Sequence, residues 1–252
     1  MPLSFPCRCC GHRAVPSPGP GSYEICPICF WEDDDEGHGF AYSRSNEVTL
    51  AEAYRNFETF GACEREWLTE VRAPRPEEAR DAGWLPFAEQ RELDRVALIA
   101  QISEAFAALR ILPGGMRLYD AELADDYGHE GPWALARKND TYKRVHEVPD
   151  EAIEQCYSSL SFFDPEGLRF HLGAYMGWSL RHQQGSLSRE FTVSALMVED
   201  GELGAWSKQR LASFDPAQCR AVLAFLRYMS HDDYLGRSAA RAIPYWQARV
   251  SS

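Results

Sequence analysis

Two cysteine pairs, Cys7-Arg8-Cys9-Cys10 and Cys26-Pro27-Ile28-Cys29, have the residue types and spacing in this chain that most directly imply chemistry. Fifteen residues separate them, a distance within the pattern of four-cysteine metal sites. Two residues between ligands allow a tight turn to aim both sulfurs at one ion while backbone N–H groups face the sulfurs and disperse their charge. Cys7, Cys10, Cys26 and Cys29 are therefore expected to hold one structural Zn2+. Four thiolates at tetrahedral angles leave no open coordination position, so the role is structural and not catalytic; rubredoxin-like iron is the alternative. Gly11 follows the first turn, where a positive φ is often needed, and Pro27 fixes the start of the second. Cys9, between two ligands, is expected to face away as a spare thiol, though it could substitute for Cys10.

Other candidates carry less. Glu32-Asp33-Asp34-Asp35-Glu36 could grip a hard cation or a basic partner, but it lacks the alternating ligands of calcium loops and reads as a solvated acidic loop. His231-Asp232-Asp233 has the His-Asp pairing of some metal phosphohydrolases without their further ligands, and reads as a polar link between helices. His171 and His182, eleven residues apart on one expected helix, share a face. Cys156 and Cys219 sit among apolar residues as small core hydrophobes. Pro113-Gly114-Gly115 lacks the Lys and Ser/Thr of a phosphate loop. Trp206, Tyr245 and Trp246 are expected in a core.

The fold class these patterns imply is α+β, mainly α: a zinc ribbon or knuckle module over residues 1–69, a linker over 70–87 and a mostly helical domain over 88–252. The first module has few aliphatic residues and cannot cohere by burial alone. Its Pro- and Gly-rich run 15–22 excludes helix, and Tyr23-Glu24-Ile25 reads as a short strand. Thr49 and Glu52 have capping-box spacing before a helix with Leu50, Ala53, Tyr54, Phe57 and Phe60 on one face, stopped by Gly61. Pro74, Pro76 and Pro86 mark the linker. A helix is predicted from Ala88 to Leu112, with Leu93, Val96, Ala100, Phe106 and Leu109 near one face, ended by Pro113. Residues 116–148 read as strand-like and loop-like pieces, Met116–Tyr119 and Trp133–Ala136 among them. Asp164-Pro165 and Asp215-Pro216 open two further helices. The first runs to about His182 and buries Leu168, Leu172, Tyr175, Met176 and Leu180; the second buries Cys219, Val222, Leu223, Leu226 and Met229. A last helix spans Arg237 to Arg249, kinked at Pro244.

Charge narrows the function. The formal net charge is −12, and a tetrathiolate zinc site takes it to about −14. Such a surface repels phosphate backbones, which argues against nucleic-acid binding; it serves solubility first and is compatible with docking a basic protein partner. Five of the eight cysteines fall within the first 29 residues, the clustering of a metal site in a reducing compartment. No apolar run is long enough to span a membrane, and the first residues lack a signal pattern, so a cytoplasmic protein is expected.

The amino-terminal residues resemble the bacterial cysteine-rich CPCC family. The resemblance rests on Cys7-Arg8-Cys9-Cys10-Gly11, on the run from Pro18 through Cys26-Pro27-Ile28-Cys29-Phe30-Trp31-Glu32-Asp33, and on the helix carrying Glu52, Ala53, Asn56, Phe57 and Gly61-Ala62. Arg8 stands where the family has proline. The resemblance covers about the first 65 residues, supports the metal and implies no activity. Phe163-Asp164-Pro165-Glu166, Phe214-Asp215-Pro216 and Tyr245-Trp246 are similar to a second uncharacterised bacterial domain. A non-enzymatic binding protein follows as the expectation, in concrete form an immunity or antitoxin protein that masks a basic toxin. The alternative is a hydrolase-type enzyme with its site in the helical domain near His171, His182 or His231.

Overall fold

The computed structural model describes residues 4–34, 42–111, 114–125, 140–183, 185–198 and 201–251. It is a small amino-terminal module with a two-stranded sheet and a cysteine cluster, followed by a mostly helical region. The chain divides into two compact units, residues 1–94 with 231–233, and residues 95–230 with 234–252.

In the first unit, β1 (Phe5–Pro6) pairs antiparallel with β2 (Arg13–Val15) around the first cysteine pair. The stretch expected as a strand at Tyr23–Ile25 forms a single bridge from Ile25 to Glu32, because Tyr23 turns the backbone at φ +55°. Helix α1 (Leu50–Phe60) begins and ends where the sequence predicts: Thr49 and Glu52 make both capping-box bonds, and Gly61 stops the helix at φ +94°. Leu50 and Ala53 are buried, with Phe57 packed beside them. Residues 70–87 carry a short 3-10 turn at Pro76–Glu78 and several bonds to the cysteine turns described below.

Helix α2 (Phe87–Phe106) ends six residues short of the expected Leu112. Its buried stripe is Leu98, Ile102 and Phe106, at four-residue intervals, while Leu93 and Val96 are exposed. Met116–Tyr119 is no strand; Asp120 accepts from the Arg117 N–H and opens helix α3 (Leu118–Asp125). Trp133–Ala136, Leu112 and Pro113 lie outside the described residues.

Four further helices, α4 (Asp150–Gln155), α5 (Ser159–Phe162), α7 (Leu187–Ser194) and α8 (Glu202–Leu211), accompany the two that the Asp-Pro signals announce. Helix α6 (Pro165–Arg181) is capped by Asp164 accepting from the Gly167 N–H and is buried on nearly every side. Its five predicted core residues are all buried. Helix α9 (Pro216–Met229) has a complete capping box from Asp215 and Gln218, and it too buries the five residues expected of it. Helix α10 (Gly236–Ser251) contains Pro244 and places Trp246 in the core, its Nε1 donating to the Leu196 carbonyl. Trp206 departs from expectation: it is 47 % exposed on α8. No described helix is long and apolar enough to cross a membrane.

Candidate metal centre

The two cysteine pairs fold into a matched pair of turns. After Cys7, the Gly11 N–H donates to the Cys7 carbonyl at 2.8 Å, and the Cys7 N–H donates to His12 O. After Cys26, the Phe30 N–H donates to the Cys26 carbonyl at 2.8 Å, and the Cys26 N–H donates to Trp31 O. Gly11 and Phe30 both take positive φ, +77° and +66°. Gly11 is required twice over, since a Cβ there would lie 2.4 Å from the Trp84 ring. For Phe30 the left-handed backbone costs roughly 1–2 kcal/mol, and stacking on Trp67 at 4.3 Å holds it there. The Ile28 N–H points at Cys26 Sγ from 3.4 Å, the contact such a turn is expected to supply.

These turns bring Cys7, Cys10, Cys26 and Cys29 together, with all four sulfurs within 4.8 Å of one another. Cys7 Sγ lies 3.6 Å from Cys29 Sγ, and Cys10 Sγ 3.8 Å from Cys26 Sγ. All are buried. Hydrogen bonding from Cys10 draws the Cys26 thiol down, and the same bond drives Cys10 up; burial raises Cys29. Four buried sulfurs with their protons in competition could hold a metal ion, which removes those protons.

Cys9 does not face away. It is fully buried, and burial raises its thiol, partly opposed by a hydrogen bond with Cys29. The four clustered sulfurs include Cys10 and not Cys9. Cys63 also lies in this core, its thiol pushed up to about 12 by burial and then by Cys9. Its backbone N–H donates to Cys29 O.

Residues 70–87 grip both turns. Arg72 N–H donates to Pro27 O, and the Arg80 guanidinium donates to Cys10 O. His12 Nδ1 donates to Glu78 O, and Glu78 pairs with Arg72 at 2.6 Å. Because prolines punctuate the segment, its sequence conceals these contacts; the alternating Arg and Glu residues were the available signal.

The acidic run after the second pair is also no solvated loop where it is described. Asp33 and Asp34 are buried. Asp33 pairs with Arg8 at 3.1 Å and accepts from Ser22, while Asp34 accepts from Ser43 at 2.7 Å. Gly19 lies so close to Asp33 that a Cβ would fall 1.9 Å from Oδ2. Asn46 completes the enclosure, bonding both the N–H and the carbonyl of Glu32. Asp35 and Glu36 lie outside the described residues.

The histidines have structural partners. Gly167 O fixes the His171 tautomer, since a carbonyl only accepts: Nδ1–H donates to it at 2.7 Å. Tyr142 Oη then donates to Nε2 at 2.8 Å while accepting from the Leu118 N–H. Burial holds the imidazole neutral, with its pKa down at about 3. His182 caps α6, stacks on Trp178 and meets Asp150 at 3.2 Å, so the two histidines are not brought together. His231, Asp232 and Asp233 lie between α9 and α10. Cys156 and Cys219 are buried in the helical core.

Fold and site together define a protein with a four-cysteine knuckle module and a helical unit. Residues 94–250 match the model described as Family of unknown function (DUF6714), and the chain belongs to that family. Residues 5–78 match the family described as Cysteine-rich CPCC, a span that takes in Arg72 and Glu78. No curated protein and no solved structure matches the chain.

Proposed function

We propose that Cys7, Cys10, Cys26 and Cys29 hold one structural zinc ion, and that the chain is a non-enzymatic cytoplasmic protein that binds a basic protein partner. The observation that carries the metal is the spacing of the four sulfurs. A tetrahedron with Zn–S bonds of about 2.3 Å has sulfur–sulfur edges of about 3.8 Å, and two of the sulfur pairs stand at 3.6 and 3.8 Å. Four cysteines fill the coordination sphere, which favours a structural over a catalytic ion. The acidic balance of −12 supports the choice of partner. Support for a non-enzymatic role comes from His171, both of whose ring nitrogens are bonded within the core.

Within this reading an immunity or antitoxin role, masking a basic toxin, is the concrete form. Affinity purification of the tagged chain from its native cell, followed by titration of each co-purifying protein, tests it. A basic protein that binds saturably, with affinity falling as salt rises, is expected. Absence of saturable binding by every co-purifying protein overturns the partner reading and leaves the metal reading standing.

A further inference from the structure

Arg210 on α8 is 6 % exposed, yet it forms no ion pair with a carboxylate among the described residues. The arginines at 8, 72, 117 and 169 are all less buried, and each faces an Asp or Glu. Asp164 acts on Arg210 through space from beyond ion-pair range, which offsets only part of the cost of burying a cation. Capping explains only part of the arrangement. Of the five N–H donors of a guanidinium, one from Nη2 bonds the Leu160 carbonyl, and Nε has no partner among the described residues.

Beside this group lies a cavity of about 140 Å³. Trp206 closes one side, its ring 4.3 Å from the guanidinium carbon. Leu160, Ala195 and Met197 give apolar walls, and the exposed Ser161 stands at the edge. At roughly 30 Å³ per water, the space equals about five waters. One cation already partly offset by Asp164 leaves room for no more than one further negative charge. A phosphate, carrying about −1.5 to −2, would be left undercompensated. A planar carboxylate matches the guanidinium fork, and a short hydrocarbon tail matches the walls.

We propose that this cavity binds the carboxylate of a short-chain organic acid, with the charged end on Arg210 and the tail against Leu160, Ala195 and Met197. The site shares no residue with the cysteine centre, so its failure would leave the metal and partner readings untouched.

The test is a nuclear magnetic resonance titration of the full metal-loaded chain with sodium butyrate, following the Arg210 Nε–H and the Trp206 indole N–H. Inorganic phosphate and propylamine serve as comparison probes. Butyrate is expected to shift both signals saturably, with a dissociation constant on the order of 1 mM. Arg210→Lys keeps the charge but loses the fork and should weaken binding about tenfold, read at the indole. Ser161→Phe fills the edge from an exposed position and should abolish the shifts outright; it decides the matter if the arginine variant fails to fold. No saturable shift with butyrate overturns the proposal. So does binding unchanged in Ser161→Phe, or phosphate binding more tightly than butyrate.

Discussion

The Nε of Arg80 donates to the carbonyl oxygen of Cys10 at 2.6 Å, across seventy residues of sequence. The same guanidinium reaches Glu58 on α1 and lies over the rings of Tyr54, Phe57 and Trp84. A single side chain thus joins the first cysteine turn to the helix beside it. Arg80→Met keeps much of the aliphatic stem and removes the bond to the carbonyl. It should destabilise the first unit by about 2 kcal/mol, read as a lower denaturant midpoint at unchanged metal content. Glu58→Gln, whose carboxylate is half-exposed, should cost well under half as much.

Cys9 and Cys10 are neighbours, of which Cys10 belongs to the four-sulfur cluster and Cys9 does not. Cys10→Ser removes one of the four clustered sulfurs, so the purified chain should lose most of its bound metal. Cys9→Ser should retain about one ion per chain. Elemental analysis of both variants separates the roles; metal retained by Cys10→Ser and lost by Cys9→Ser would exchange the assignments.

Glycines with positive φ are not equivalent. At Gly61 nothing lies within 4 Å of an added Cβ, so Gly61→Ala should cost about 1 kcal/mol in backbone strain alone. Gly11→Ala adds a collision with Trp84, and its loss should exceed that of Gly61→Ala by at least about 1 kcal/mol. Paired denaturant melts of the two variants provide the comparison.

His171 makes the stability of the helical unit depend on pH. Folded, its pKa lies near 3; unfolded, it returns to about 6.5. Between those values the unfolded chain binds the extra proton, so stability falls as pH drops below about 6.5 and the loss levels off near pH 3. The expected slope is about 1.4 kcal/mol per pH unit. His171→Gln lowers stability at pH 7 but should remove this slope, and comparing variant with wild type at pH 5 and 7 cancels the pH response of the metal site.

Much of this was legible in the residues, and what was not has physical reasons. Cap chemistry is local, so Thr49, Asp164 and Asp215 marked three helix starts correctly. The cysteine spacing likewise located the cluster. Helix faces were less secure: Leu93 and Val96 sit at helical intervals, yet the stripe that packs is Leu98-Ile102-Phe106, because tertiary neighbours choose the buried face. Asp33 and Asp34 resembled a solvated run because nothing local reveals that Arg8, Ser22 and Ser43 enclose them. Arg8, which departs from the resembled family's proline, is the residue that pairs with Asp33.

In the proposed function, sulfur–metal bonds reinforce a small core of Val15, Ile28, Trp31 and Leu50 in holding residues 5–78 together. Limited proteolysis of the zinc-loaded chain before and after exhaustive chelation tests it most directly, with zinc content measured on the same samples. About one zinc per chain is expected at the start, then rapid cleavage within residues 5–78 once the metal is gone, while the helical unit stays resistant. A metal-free chain that keeps the original resistance of its first unit would contradict it.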